Sequence, residues 1–183
     1  EAVDDGEGAV RGTVTVNAAG TLRLSTPNSL GFGSATKVDT LNINGGLVDN
    51  VATGDNGWGI TINMAGGTLR SNGGTSNNAA TQLFSLGNGS AINVTGGTAN
   101  VQGRINIREG NPGGVLPISV SAGATLNYSA ATTQANGTWG ITKSGMGVMA
   151  LTNASAATAG GVFTVAAGQV DVGPRVVGEG AWA

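Results

Sequence analysis

The stretch INVTGGTANV, residues 92–101, decides the fold of this chain. It begins with a short run in which apolar and polar residues alternate, turns at Gly96 and Gly97, and resumes the alternation at residues 99–101. An alternation of period two places the apolar side chains on one face of a β-strand. Glycines between two such runs allow a tight backbone turn that other residues rarely adopt. The stretch therefore predicts two short strands, joined by a corner, that share one apolar face.

This two-strand unit recurs along the chain. The first strands of the units contain, in order, Val14, Leu41, Ile60, Ile92, Ile118 and Phe163. The last interval, between Ile118 and Phe163, is long enough for one further unit between Gly140 and Leu151. Repeats at intervals of roughly 20–50 residues are typical of solenoids, propellers and arrays. One unit cannot bury its apolar face alone, so we expect successive units to stack and cover one another.

The repeat predicts an all-β, single-domain parallel β-solenoid (β-helix) over residues 1–173, with an N-terminal extension at residues 1–12. Stacked Asn residues are expected to form amide ladders between units, and Gly residues to form corners where backbones approach closely. A hairpin-based β-sandwich is the alternative, because Asn-Gly pairs also suit type I′ turns. Five such pairs begin at Asn44, Asn56, Asn72, Asn88 and Asn136.

The composition restricts the function. Hydrophobic residues make up 39% of the chain and the net charge is only -2, which favours an ordered chain over a disordered one. The absence of Cys and His excludes disulfides, thiolate metal sites and a Ser-His-Asp triad. The eight Lys and Arg residues are scattered, which argues against nucleic-acid binding. We predict no cofactor, no bound metal and no membrane insertion of this segment.

The carboxylates offer only a weak catalytic candidate. Asp49 and Asp55 are close enough in sequence to share a loop, and Arg70 is a possible third member of that group. Polysaccharide-active β-helices require several carboxylates on one face. Solvated turn carboxylates explain these residues more simply, and we predict that the chain is not an enzyme and has no catalytic residues.

Two tryptophans are candidate surface-contact residues. Trp58 and Trp139 each lie beside a glycine in a polar stretch. An exposed aromatic ring can stack on a sugar or pack against a neighbouring protein. The alternative is that each ring covers an open corner of its own unit.

The two ends of the chain carry candidate assembly residues. Residues 174–183 form an apolar tail, predicted to be either an end cap or an inter-subunit joint, and strand addition at an exposed edge is a known mode of assembly. The N-terminal stretch 10–16 is its predicted receptor. The candidate residues are Val10, Val14 and Val16 in the receptor and Val176, Val177 and Trp182 in the tail.

Residues 140–173 resemble the autotransporter-associated β-strand repeat of bacterial passenger domains. The positions that carry the resemblance are Lys143, Gly145, Gly147, Leu151, Thr152, Gly160, Gly161, Gly168, Val170 and Gly173. The sequence departs from the repeat at residues 148–151, which read VMAL rather than ending in Leu-x-Leu. It also departs at residues 156–158, where an aromatic residue is usual.

The resemblance implies a right-handed β-helix that is extracellular or on the bacterial cell surface. It predicts fold better than activity, because the family includes adhesins, stalks, toxins and proteases. With the composition and the two apolar ends, it predicts a structural stalk or fibre subunit that assembles with itself, end to end. The alternative function is an adhesin-like passenger fragment that binds host cells or carbohydrate.

Overall fold

The computed structural model describes residues 9–32, 36–71, 83–134, 137–152 and 161–173. These residues form an all-β structure with parallel sheets, and a turn of 3₁₀ helix at Pro112–Gly114. The strands in chain order are β1 (Gly12–Asn17), β2 (Thr21–Leu24), β3 (Val38–Asn44), β4 (Leu47–Asn50), β5 (Asp55–Asn56), β6 (Thr61–Ser71), β7 (Leu83–Leu86), β8 (Ala91–Gln102), β9 (Arg104–Ile107), β10 (Val115–Val120), β11 (Thr125–Tyr128), β12 (Ala131–Gln134), β13 (Gly140–Ser144), β14 (Val148–Leu151), β15 (Phe163–Val165) and β16 (Gln169–Val172).

The strands form three rows, and within each row a strand pairs in parallel with the strand of the next unit. Row A contains β1, β3, β6, β8, β10, β13 and β15, and row B contains β2, β4, β6, β8, β11, β14 and β16. Row C contains β5, β7, β9 and β12 and forms a separate four-stranded sheet. The long strands β6 and β8 belong to both rows A and B because each continues through the corner between them.

The predicted units correspond to strands of the structure. We number them units 1 to 7, beginning with β1, β3, β6, β8, β10, β13 and β15. The predicted additional unit between Gly140 and Leu151 is confirmed as unit 6, which contains β13 and β14. Row C was not predicted, because its strands are as short as two residues and carry no repeated signal.

The pairing disagrees with the hairpins of the sandwich alternative. Asn44-Gly45 lies between β3 and β4, but each of those strands pairs with strands of neighbouring units. Asn88-Gly89 likewise lies between β7 and β8, which belong to different sheets. Among the described residues the antiparallel contact is an isolated bridge between Asn17 and Gly45. Asn72 and Asn136 lie outside the described residues.

The core consists of columns of inward-facing side chains, one from each unit. In row A the strand register aligns five fully buried side chains, which are Leu41, Ile62, Ile92, Ile118 and Lys143. In row B it aligns Val48, Leu69, Val101, Tyr128 and Leu151. Fully burying one large aliphatic side chain contributes roughly 1.5–3 kcal/mol, so stacking stabilises each unit through its neighbours.

Outward-facing asparagines form the predicted ladder along row A. The Asn63 side-chain amide donates to Oδ1 of Asn42 over 3.0 Å, and the Asn93 amide donates to Oδ1 of Asn63 over 3.1 Å. In row B the Asn127 amide donates to Oδ1 of Asn100 over 3.1 Å. Each amide thus satisfies the next one along the stack, and the ladder specifies the register between units.

Glycine is required at the corner between rows A and B. Gly67 has φ +84°, and a Cβ atom built on it would lie 2.5 Å from the carbonyl oxygen of Gly46 in the preceding unit. A Cβ built on Gly46 would in turn lie 2.5 Å from the carbonyl oxygen of Asn17. Successive backbones therefore approach too closely here for any side chain, as the glycine pattern predicted.

Candidate functional site

A cavity of about 620 Å³ opens where loops of four stacked units meet. Unit 1 contributes the loop after β2, unit 2 contributes β5 and the residues after it, unit 3 contributes β7, and unit 4 contributes the loop after β9. The side chains that give the cavity its chemistry are Phe32, Asp55, Trp58, Ser85, Arg108 and Glu109.

Arg108 is the central group of the cavity. Its Nη1 atom lies 3.1 Å from Oδ2 of Asp55, and its Nη2 atom lies 3.1 Å from Oε1 of Glu109. Its guanidinium carbon lies 5.0 Å from the centre of the Trp58 ring, a cation–π distance. One guanidinium therefore joins two carboxylates and an aromatic ring, and its charge is compensated within the site.

The second feature of the cavity is the partly buried carboxylate of Asp55. Its pKa is raised because burial disfavours the charged form, and this outweighs the nearby Ser85 hydroxyl and the charge of Arg108, which lower it. Its Oδ1 atom is buried and makes no hydrogen bond of normal geometry with the protein. A buried carboxylate oxygen without a partner leaves an acceptor site that a bound hydroxyl or amide can fill.

The loop of unit 1 that carries Phe32 is held against β5. Oδ1 of Asn56 accepts a hydrogen bond from the Leu30 amide over 3.2 Å, and Nδ2 of Asn56 donates to the Thr26 carbonyl over 3.2 Å. The Asn28 amide donates to the Asp55 carbonyl over 2.8 Å. Phe32, which is 42% exposed, therefore follows a loop whose position is fixed by the next unit.

Trp58, predicted as a surface-contact residue, lines this cavity and is half-buried. Arg108 lies over its ring, and a Cβ atom built on Gly87 would lie 2.6 Å from ring atom Cζ3. The ring is wedged between units, which agrees with the alternative that it covers an open corner, and it also forms a wall of the cavity.

Trp139, the other predicted surface-contact residue, lies apart from the cavity. It is half-buried and packs against the hydrophobic core. Its carbonyl accepts a hydrogen bond from the Gln134 amide, and a Cβ atom built on Gly137 would lie 3.1 Å from its ring. These contacts correspond to the alternative in which the ring covers a corner of its own unit.

The carboxylates Asp49 and Asp55 belong to two separate ion pairs. Arg70 binds Asp49 through two hydrogen bonds of 3.0 and 2.7 Å, whereas Asp55 binds Arg108. The hydrogen bonding from Arg70 lowers the pKa of Asp49. Arg70 therefore pairs with Asp49 alone, and Asp49, Asp55 and Arg70 do not form the single group considered from the sequence.

The predicted assembly residues lie at the first unit or outside the described residues. Val10 is 38% exposed, Val14 is half-buried, and Val16 is buried in the core of unit 1. Val176, Val177 and Trp182 fall in 174–183, beyond the described residues. At the opposite end, Val165 of β15 and Val172 of β16 are 49% and 77% exposed.

Within the described ranges, no group of three or more His, Cys, Asp or Glu side chains is arranged to hold a metal ion. No helix in that part of the chain has the length and apolar character needed to cross a membrane.

Sequence reasoning missed Phe32, Arg108 and Glu109. Asp55 and Arg108 are separated by 53 residues and meet only because units 2, 3 and 4 stack in row C. The local sequence signal that could have indicated the site is Phe32, an aromatic residue beside a glycine, as Trp58 is.

Comparison with known proteins gives no relative: no family model, no curated protein and no solved structure matches the chain.

Proposed function

We propose that this chain is a right-handed parallel β-solenoid that serves as a structural stalk or fibre subunit on the bacterial cell surface. Parallel rows of stacked units with inward apolar columns support the solenoid. The right hand is supported by the general preference of parallel crossover connections. The extracellular location is supported by the resemblance of residues 140–173 to the autotransporter-associated repeat. The proposal assigns no catalytic activity to the chain.

The repeat resemblance has a structural counterpart at one corner. Nζ of Lys143 donates hydrogen bonds to the carbonyl oxygens of Gly145 and Gly147, over 2.7 and 2.6 Å. The Lys and the Gly-x-Gly of the repeat are thus joined by hydrogen bonds at one corner. These hydrogen bonds support the part of the proposal that assigns this chain to the passenger-domain family.

The observation that carries the structural role is the open end formed by β15 and β16. Among the described residues these strands pair only with β13 and β14, so one edge of each has no strand partner. Val165 and Val172 are aligned with the buried Lys143 and Leu151, yet they are largely exposed. Within the part of the chain that the structure describes, they occupy core positions that a following layer would cover.

A second copy of this chain is the occupant we propose for this end. In unit 1, β1 and β2 likewise pair on one side only within the described ranges, and Val14 and Leu22 are half-buried. Among the described residues, each of rows A and B therefore begins and ends with a strand that is paired on one side only. Placing β1 of one copy on β15 of another continues both rows, and such a head-to-tail contact repeats without closing.

The molar mass of the purified chain, measured by light scattering over a concentration series, tests this role. The wild type is expected to grow in mass with concentration, and Val165→Lys and Val172→Lys to remain monomeric because each places a charge in the joint. Met146→Lys is the matched control, since Met146 is 71% exposed in the turn between β13 and β14. A wild type that stays monomeric, or a Val172→Lys variant that assembles equally well, contradicts the proposal.

An adhesin-like passenger fragment that binds host cells or carbohydrate is the second candidate function. The cavity bordered by Phe32 and Trp58 favours it, because aromatic rings beside carboxylates are suited to polar ligands. Binding of the labelled chain to cultured host cells and to a glycan array tests it. Saturable binding supports this candidate, and the absence of binding to both surfaces contradicts it.

A further inference from the structure

We propose that the cavity between Phe32, Asp55 and Trp58 binds a neutral saccharide. The inference rests on the second candidate function, which it makes specific, and is independent of end-to-end assembly.

The size and construction of the cavity suit a small ligand. Its volume, about 620 Å³, lies within the range of small-molecule sites, roughly 300–1,000 Å³. Its wall is contributed by four units that the parallel sheets hold in register. The hydrogen bonds of Asn56 to Leu30 and Thr26 fix the loop before Phe32. A preformed site of this kind loses little conformational entropy when it binds.

Phe32 is the aromatic ring available for stacking. Arg108 already lies over the Trp58 ring, and Gly87 is packed against one edge of that ring. Phe32 is 42% exposed at the rim of the same cavity. The apolar face of a pyranose ring can pack on such a side chain, while Trp58 bounds the site from the side.

Oδ1 of Asp55 is the hydrogen-bond acceptor that the protein leaves unused. It is buried, lines the cavity beside Ser85 and accepts no hydrogen bond of normal geometry from the protein. A buried acceptor without a partner is unfavourable, and a ligand hydroxyl that donates to it would remove that penalty. The other carboxylate oxygen is bound to Arg108, which fixes the direction in which Oδ1 points.

The charges of the cavity favour a neutral ligand over an anion. Arg108 is paired with both Asp55 and Glu109, so the three groups together carry one negative charge when all are ionised. A phosphate or sulfate group would have to displace one of the carboxylates from Arg108. A sugar hydroxyl needs only the vacant acceptor, so a neutral saccharide fits the site better.

Isothermal titration of the full chain with cellobiose, lactose and N,N′-diacetylchitobiose tests the inference. At least one of these is expected to bind, and Phe32→Ala to weaken it about tenfold through the loss of stacking. Asp55→Ala is expected to weaken it tenfold or more through the loss of the acceptor. Phe163→Ala, which removes an aromatic ring outside the cavity, should leave the affinity unchanged.

Three outcomes overturn the saccharide site: no heat with any of the disaccharides, equal affinity in Phe32→Ala, or binding of a sulfated heparin disaccharide in preference to the neutral ones. Circular dichroism of each variant shows whether it is folded, and Phe32→Ala provides the decisive comparison because its side chain is exposed. Binding of host cells by Phe32→Ala at the wild-type level, without any response to the disaccharides, removes this site but leaves the adhesin-like candidate intact.

Discussion

Nζ of Lys143 donates a hydrogen bond to the carbonyl oxygen of Ala167, 2.8 Å away, and so joins unit 6 to unit 7. Its other two hydrogen bonds go to the Gly145 and Gly147 carbonyls of its own corner. Lys143 is completely buried and occupies the core position that Ile118 fills in the preceding unit. The three donors of the ammonium group thus meet three carbonyl acceptors, which compensates for burying the charge.

Replacing Lys143 with Met should destabilise the protein by about 3 kcal/mol. Met retains an apolar stem of similar length, but the three carbonyl oxygens lose their common donor, and a buried acceptor without a partner costs about 1–3 kcal/mol. Urea unfolding followed by circular dichroism measures the change in the free energy of unfolding. Arg23→Met, at an exposed cation in β2, is the control and should change it by less than about 0.5 kcal/mol. An equal, small effect of both changes would show that the buried ammonium contributes little.

The Asp49–Arg70 pair should make the free energy of unfolding depend on pH in the acid range. Hydrogen bonding from Arg70 lowers the pKa of Asp49 below its ordinary value of 3.8. The native state therefore binds this proton less readily than the unfolded state. The stabilisation is complete above the ordinary pKa and is lost as the pH falls through the native pKa.

Asp49→Asn should lower the free energy of unfolding by about 1 kcal/mol at neutral pH, since Arg70 is partly exposed and the pair is screened by solvent. The difference from wild type should vanish well below pH 3.8. Asp39→Asn is the control, because that carboxylate is 65% exposed beside Lys37 and should change stability by less than about 0.5 kcal/mol at either pH. Unfolding curves at the two pH values check this, and a difference that persists in acid would contradict the assignment.

Two glycines at equivalent corners should respond differently to a methyl group. Gly67→Ala must place Cβ 2.5 Å from the Gly46 carbonyl oxygen at φ +84° and should cost about 2–4 kcal/mol. Gly96→Ala meets nothing within 4 Å and should be tolerated to within about 1 kcal/mol. Thermal unfolding compares the two, and equal melting temperatures would contradict the close approach of units 2 and 3.

The sequence was sufficient for the strands of rows A and B because their signals are local. Alternating residues such as those of β10 and the glycine corner at Gly66 and Gly67 specify strand, face and turn within one short window. Row C could not be predicted because Asp55–Asn56 and Leu83–Leu86 are too short to show a pattern. They are strands because they pair with strands of other units. The burial of Lys143 was not predicted, because a lone lysine is normally a surface residue. This residue was named from the sequence only as part of the family resemblance.

The cavity could be anticipated only in part for the same reason. Trp58 was selected from its sequence context, and the structure places it in the cavity wall. Its partners come from separate units, and the ion pair of Asp55 with Arg108 depends on the register between strands rather than on any motif. Contacts between residues 53 positions apart carry no local signal.

Electron microscopy of the purified chain, with and without residues 174–183, tests the central claim most directly. End-to-end stacking predicts filaments from the full chain whose width is that of one stack of units. Loss of the filaments on truncation would identify residues 174–183 as the joint between copies, whereas their persistence would leave the strand edges of β15 and β16 as the joint. Monodisperse single particles in both samples, at every concentration, would contradict the proposed fibre role.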